Sequence, residues 1–114
     1  QKFKIWDEYT DAESSENIKK RVELARWIQL ARFLDCSITC NSEMWTKEIN
    51  KYCHLDGESD SILKQAVASL NLSARAYYRI IKLARTIADI EGITDISSEH
   101  ILEALSFRKK EENL

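Results

Sequence analysis

The chain has 114 residues, which is enough for one domain with a modest core and too few for two. It contains two glycines and no proline, whereas loop-rich and all-β folds need both residues at their turns. With 44% hydrophobic residues, 32% charged residues and a net charge of −2, the composition excludes a disordered chain and a strongly basic, histone-like protein. No apolar run is long enough to cross a bilayer and no signal peptide is recognisable, so we expect a cytoplasmic protein without membrane contact.

The cysteines are three in number, which argues against a closed disulfide framework. Cys36, Cys40 and the adjacent Cys53 and His54 raise the alternative of a zinc site, because thiolates and imidazoles are the usual zinc ligands. The spacing lacks a C-x-x-C turn, and adjacent side chains on a helix point about 100° apart. We therefore predict no metal site, and free thiols that serve as small buried hydrophobic groups.

The first long element is a predicted helix over residues 16–34, with Ser14 or Ser15 as its N-cap, after a short strand-like start at residues 1–5. This helix is apolar on two sides. One stripe consists of Ile18, Val22, Ala25 and Phe33 with Gln29, and the other of Leu24, Trp27, Ala31 and Leu34. Either the helix is central and buried by its own domain, or one stripe faces a missing neighbour, which could be an upstream domain or another subunit.

Helical periodicity continues along the rest of the chain. The predicted elements are a short helix from Asn41 as N-cap to Tyr52 with Met44, Trp45 and Ile49 inward, a helix over 59–70, a helix over 74–91, and a helix from Ser97 as N-cap to about 107 packed by Ile101, Leu102 and Leu105. The 74–91 helix is the clearest, because Ser73 caps it, Gly92 ends it, and its apolar stripe runs from Tyr77 to Ala88. The sequence therefore predicts an all-α domain, a small bundle of four to five helices.

Catalytic motifs are absent from these 114 residues. No G-x-x-x-x-G-K-[ST] phosphate loop and no H-E-x-x-H helix is present, and His54 and His100 are the only histidines. His100 falls in the first turn of the last helix, where an exposed or capping role is expected. We expect that this chain by itself is not an enzyme.

Three cations share one face of the 74–91 helix. Arg75 lies in the first turn, and Arg79 and Lys82 follow four and seven residues later. A cation at a helix N-terminus is mildly unfavourable, but an arginine there adds its guanidinium to unpaired backbone N–H groups, and together they suit an anion such as phosphate. The spacing alone favours an ordinary solvated basic face.

Two runs on this helix carry a family resemblance: L-S-A-R-A-Y at residues 72–77 and A-R-T-I-A-D at residues 84–89. With Gly92, His100 and the segment from Asn41 to Met44, they resemble the C-terminal domain of the ComM family (also called YifB) of magnesium-chelatase-related AAA+ ATPases. The resemblance extends from about residue 14 to residue 108. Asn71 departs from the glycine that the family usually has before L-S-A-R, a change expected to loosen the turn and leave Arg75 in place.

The resemblance implies a hexameric AAA+ ATPase whose α/β core binds ATP and Mg²⁺ and is followed by a helical lid. Residues 1–12 would then be a remnant of the upstream core or linker, 13–108 the lid, and 109–114 a charged tail. Arg75 takes the position called sensor 2, which contacts the γ-phosphate of ATP. The parent would be a DNA helicase or branch-migration motor in natural transformation. Its expected partners are the upstream core, the neighbouring subunits and DNA, with no nucleotide bound to this fragment alone.

Other residues are assigned less specific roles. Arg79 and Lys82 are candidates for phosphate or DNA contacts. Arg21, Trp27 and Arg32 are candidate interface residues, because the two arginines flank the first stripe and the tryptophan lies in the second. Arg26 also matches the family, and no function follows from it.

Two hypotheses from other classes stay open. The first is a freestanding helical module that binds DNA or protein and reads DNA with the 74–91 helix. That helix has few side chains of the Asn/Gln type that read base edges, and the chain is slightly acidic. The second is a purely structural oligomerisation domain, which would leave the L-S-A-R-A-Y run unexplained.

Overall fold

A computed structural model describes residues 15–112, with side chains described up to Phe107. The elements are α1 (Ser15–Arg32), a 3-10 turn (Asn41–Glu43), α2 (Thr46–Tyr52), α3 (Gly57–Leu70), α4 (Ala74–Glu91) and α5 (Ser98–Glu112). Within residues 15–112 the only β-type pairing is one isolated parallel bridge between Leu55 and Ile96. The predicted all-α bundle is confirmed. The strand-like start, the 1–12 remnant and the Ser14 cap lie outside the described residues.

Helix α4 is the centre of the bundle. It contacts α1, α2, α5 and the 3-10 turn, while α3 packs against α5. Its N-terminus is fixed by Ser73, whose Oγ accepts the N–H of Ala76 at 3.1 Å. Its C-terminus is fixed by Gly92, whose φ of 72° lies in the left-handed region that glycine adopts without steric cost. The helix therefore begins and ends where the sequence predicts.

The core lies against the predicted apolar stripe of α4. Ile80, Ile81, Ala84, Ile87 and Ala88 are at most 4% exposed. Phe33, Met44, Leu63 and Ile101 bring the other elements into the same cluster. Since burying one large aliphatic side chain stabilises a fold by about 1.5–3 kcal/mol, this stripe fixes α4 along most of its length.

The second predicted helix is wrong in its first half. Asn41 does not cap an α-helix but opens the 3-10 turn, and the α-helix starts only after Trp45. Met44 and Ile49 are buried as predicted, whereas Trp45 is 77% exposed. The physical reason is that the Asn41 side chain forms buried hydrogen bonds with other helices. Glu48 caps α2 instead, because its carboxylate accepts the Trp45 N–H at 2.8 Å.

Helix α3 differs from the prediction at its start. It begins two residues early because Asp56 is its N-cap, with a carboxylate that accepts the Ser59 N–H at 2.7 Å. It ends at Asn71, which has a left-handed φ of 53°. Asparagine is one of the few non-glycine residues that visit this region readily. The turn that leads into α4 therefore forms without the glycine that the resemblance leads one to expect.

Helix α5 continues to Glu112, five residues past the predicted end. Ile101 and Ala104 are fully buried on its inner face, whereas Leu102, which was predicted to pack inward, is 50% exposed. His100, Ile101, Glu103 and Ala104 occupy the buried side of the helix, and Leu102 points to its outer side, about 100° from Ile101.

His100 is buried, not exposed, and it has the alternative role predicted for it, that of a cap. Its Nδ1 accepts the N–H of Ser97 at 2.9 Å, and its Nε2 lies 3.0 Å from Oε1 of Glu91. An acceptor Nδ1 requires the proton on Nε2, which then donates to the carboxylate. This side chain therefore connects the start of α5 to the end of α4.

Helix α1 buries part of one predicted stripe and none of the other. Ala25 and Phe33 of the first stripe are 3% and 2% exposed, but Val22 of the same stripe is 43% exposed. In the second stripe, Leu24, Trp27 and Leu34 are 61%, 68% and 79% exposed. Burial on both sides by its own domain is therefore wrong for the described residues.

The three cysteines are free, with Cys53 buried and Cys36 and Cys40 partly buried. Cys53 fits the prediction of a small buried hydrophobic group, with its Sγ 3.9 Å from Sδ of Met44. Between residues 15 and 112 no three His, Cys, Asp or Glu side chains are grouped so as to hold a metal ion. None of the described helices is both long and apolar enough to span a membrane.

A buried carboxylate near the end of α4 joins three elements. Asp89 is 3% exposed. Arg32 of α1 donates Nη2–H to its Oδ1 at 2.7 Å and Nη1–H to its Oδ2 at 2.8 Å. Asn41 of the 3-10 turn donates Nδ2–H to Oδ2 at 2.8 Å, and Nε of Arg85 lies 3.3 Å from Oδ1. We call these four residues the Asp89 cluster.

Arg85 also has hydrogen-bond partners outside the cluster. Arg85 donates to the carbonyl oxygens of Thr94 and Ile93 at 2.8 and 3.0 Å, which fixes the loop after α4. Hydrogen bonding to Asp89 raises the pKa of Arg32, whereas burial lowers the pKa of Arg85. Both side chains stay cationic at neutral pH, because an arginine in a protein does not lose its proton.

Asn41 completes the cluster from the 3-10 turn. Its backbone N–H donates to Oε1 of Gln29 at 2.9 Å, and its Oδ1 accepts from Nη1 of Arg32 at 2.9 Å. Its Nδ2 also lies 3.2 Å from Oγ1 of Thr86. The amide therefore bridges α1 and α4, which is why it is not available as a helix cap.

We expect Asp89→Asn to lower the free energy of unfolding by about 3 kcal/mol, because it leaves two buried guanidinium groups without their counter-charge. Urea denaturation measures the change. Asp60→Asn is the matched control, since Asp60 pairs with Lys64 at 3.0 Å in an exposed i, i+4 position. That control should change stability much less. Equal effects of the two variants would contradict a stabilising role for the cluster.

Burial raises the pKa of the Cys53 thiol from its ordinary value of 9.0 to about 11. Between these values the unfolded chain releases a proton that the folded chain keeps, so the contribution of this thiol to stability should be constant below pH 9 and fall by about 2–3 kcal/mol as the pH rises to 11. Urea denaturation across this range should show a smaller fall for Cys53→Ala. Cys40→Ala should keep the wild-type fall, and an unchanged fall in Cys53→Ala would refute the assignment.

Candidate functional site

Within α4, the fully exposed charged side chains lie in the first two turns. Arg75 and Arg79 are exposed, whereas from Ile80 onward every residue of the helix is buried or half-buried. A helix that reads DNA must present one face to the major groove over several turns. The packing of α4 against its neighbours leaves no such face, which argues against its use as a reading helix. The most exposed part of α4 is its first two turns, which carry Arg75 and Arg79.

Arg75 lies at the N-terminus of α4 and has no hydrogen-bond or ion-pair partner among residues 15–107, whose side chains the structure describes. The first turn of α4 contains no acidic residue that would neutralise it. The first N–H groups of an α-helix have no acceptor within the helix, and Ser73 Oγ accepts only that of Ala76. The guanidinium and these N–H groups form a positive surface that suits a phosphate or carboxylate group. The structure thus places Arg75 in the first turn of the helix, as predicted, and its side chain is exposed.

The other two cations, Arg79 and Lys82, line a groove whose lining does not include Arg75. The groove has a volume of about 360 Å³ and is lined by Ser42 of the 3-10 turn, by Ala76, Arg79, Ile80, Lys82, Leu83 and Thr86 of α4, and by Ala104 of α5. Nζ of Lys82 donates to the carbonyl oxygen of Ser42 at 3.3 Å. Arg79 and Lys82 are therefore brought together over a largely apolar floor, and Arg75 is not part of that lining.

The three candidate interface residues lie in different environments. Trp27 is 68% exposed on the outer side of α1. Arg21 is half-buried on the same helix. Arg32 points into the fold, where the Asp89 cluster accounts for its position without a second molecule. Interface roles for Arg21 and Trp27 stay predictions.

Sequence reasoning missed the role of Arg85 and Asp89. The A-R-T-I-A-D run carries part of the family resemblance, and the resemblance assigns no role to its two charged residues. A signal was present, because Arg85 and Asp89 are one turn apart and lie within the apolar stripe that contains Ile81 and Ala88. Charged residues inside such a stripe indicate a buried pair, since an isolated buried charge is too costly to keep.

Comparison with known proteins gives a consistent result. The family described as "Magnesium chelatase, subunit ChlI C-terminal" matches residues 12–108. The chain is 42% identical over 96 residues to the protein YifB of Salmonella typhimurium, which is itself named as uncharacterized. It is 38% identical over 96 residues to the competence protein ComM of Haemophilus influenzae and to the YifB protein of Escherichia coli.

In each of these three matches, 84% of this chain is covered but only 18% of the relative. The chain therefore spans less than a fifth of the length of these relatives. No solved structure matches it. The match of the family to residues 12–108, which include all of α1 to α4, shows that this chain belongs to the magnesium chelatase subunit ChlI C-terminal family and is similar to the C-terminal domains of ComM and YifB.

Proposed function

We propose that this chain is the helical lid of a ComM-like AAA+ ATPase and that Arg75 contacts the γ-phosphate of ATP, in the role called sensor 2. The observation that carries the proposal is the position of Arg75. It is exposed in the first turn of a helix whose residues from Ile80 onward are buried or half-buried, with no acidic neighbour in that turn. Membership of the magnesium chelatase C-terminal family supports it, because the resemblance to AAA+ ATPases implies a separate core domain that binds ATP and Mg²⁺.

The chemistry of such a contact is electrostatic. A guanidinium forms two parallel hydrogen bonds to a phosphate, in a geometry that an ammonium group cannot reproduce. The free N–H groups at the start of α4 add their partial positive charge. ATP supplies the transferable phosphate, and Arg75 contributes only positioning and charge stabilisation. A contact that exists with the γ-phosphate and is lost with it favours one lid orientation before hydrolysis and releases it afterwards.

The parent protein is proposed to be a hexameric motor that acts on DNA, as a helicase or in branch migration during natural transformation. Support comes from the name of one relative, a competence protein. In this proposal the lid contacts the upstream AAA+ core of its own chain and the neighbouring subunits, in the cytoplasm. Arg79 and Lys82, at the rim of the α4 groove, are candidates for additional phosphate or DNA contacts.

The alternative, a freestanding helical module that binds DNA or protein, has less support. The DNA-binding version of this alternative requires α4 to read base edges, and that helix is packed against other elements on several sides. The relatives are also far longer than this chain.

In the full-length protein, we expect Arg75→Ala to lower ATP turnover by about 10- to 100-fold, in line with the 1.5–3 kcal/mol that hydrogen bonds to charged groups contribute. Arg75→Lys should recover only part of the loss, because the lysine keeps the charge but not the fork. Steady-state ATPase assays with and without branched DNA measure both, and stimulation of the wild type by branched DNA is expected from a DNA motor.

Lys64→Ala is the matched control, because Lys64 is an exposed helical cation paired only with Asp60 in the described structure. It should leave turnover unchanged, and circular dichroism should show all variants folded. Wild-type turnover in folded Arg75→Ala would refute the sensor 2 assignment. Absence of any response to branched DNA would count against the DNA motor and leave the assignment of Arg75 standing.

A further inference from the structure

Helix α1 exposes a contiguous apolar surface on the side away from the core. Leu24, Trp27 and Leu34 are 61%, 68% and 79% exposed, and Ile28 beside them is 38% exposed. At 100° a residue, Trp27, Ala31 and Leu24 lie within about 60° of one another on the helix. We call Leu24, Trp27, Ile28 and Ala31 of α1, together with Leu34 in the turn just after its end, the outer face of α1.

The outer face is large enough to need an explanation. An aromatic side chain offers about 150–250 Å² of surface, so Trp27 alone leaves on the order of 100–170 Å² in water. With the two leucines the surface reaches a few hundred Å², the size at which an apolar patch on a soluble protein becomes an indicator of a binding site. Single exposed apolar residues such as Leu102 need no such account.

We infer that the outer face of α1 is covered by the part of the same polypeptide that precedes this domain. This inference rests on the family assignment and not on the proposed role of Arg75. The family is described as a C-terminal one, and the match covers 18% of each relative, so in those proteins more than four fifths of the chain lies outside it. Helix α1 is the first described helix and so the one nearest in sequence to that preceding part.

The size of the face favours this occupant over a second copy of the chain. A stable interface between separate proteins buries about 800 Å² on each partner, roughly two to three times what the outer face offers. A covalently connected segment needs much less, because the connection gives it an effective concentration in the millimolar range and much of the entropic cost of association is absent. A small apolar face with a tryptophan at its centre therefore suits a contact within one polypeptide.

Hydroxyl-radical footprinting of the full-length protein, read by mass spectrometry, tests the inference through two tryptophans that are similarly exposed in this domain. Trp27 is 68% exposed and Trp45 is 77% exposed. If the outer face is covered, Trp27 should be oxidised roughly five times more slowly than Trp45 or slower still, because residues at the centre of a contact are shielded from water. Equal rates would overturn the inference.

Two further arms identify the occupant. Protection of Trp27 that persists on dilution to the monomer supports the same polypeptide, whereas protection that is lost on dilution shows that a second copy covers the face and overturns the assignment. Leu24→Glu should raise the oxidation rate of Trp27 in the full-length protein. Leu102→Glu, which changes a leucine of similar exposure on α5, should leave that rate unchanged. None of these results depends on ATP turnover, so they are separable from the test of Arg75.

Discussion

Asp89 is a buried carboxylate that faces two guanidinium groups and one amide, and the arrangement of α1, the 3-10 turn and α4 depends on it. A charge in this position is tolerable only because its partners satisfy both of its oxygens. The partners come from residues 32, 41 and 85, so one carboxylate joins segments that are up to 57 residues apart in sequence. The A-R-T-I-A-D run that marks the family resemblance is therefore mainly a structural device.

One end of the same helix is bonded into the Asp89 cluster, and the other end lies at the surface. Around Asp89 it is bonded to α1 and, through Arg85, to the loop that leads to α5. About 21 Å away, at 1.5 Å for each of the intervening residues, Arg75 reaches solvent. Because most of this helix is packed against its neighbours, the backbone that carries Arg75 has little freedom to move. An arginine positioned in this way can transmit a contact with a ligand to the whole bundle, which is what the proposed lid requires.

Local signals in the sequence predicted what depends on local chemistry. The limits of α4 were predicted because Ser73 and Gly92 act on groups within four residues of themselves. The side of α4 that carries Arg75 follows from helical spacing alone. Asn41 was misassigned because its decisive partner, Asp89, is 48 residues away. The groove could not be predicted either, since Ser42 and Ala104 are distant in sequence and line the same groove only in the folded chain.

The most direct test of the account is the structure of the full-length protein bound to a non-hydrolysable ATP analogue and Mg²⁺. The account predicts a hydrogen bond of about 2.7–3.2 Å from the Arg75 guanidinium to a γ-phosphate oxygen of the same or a neighbouring subunit, with Arg32 and Asp89 still paired. A structure in which the nucleotide is bound and Arg75 points into solvent in every subunit would contradict it.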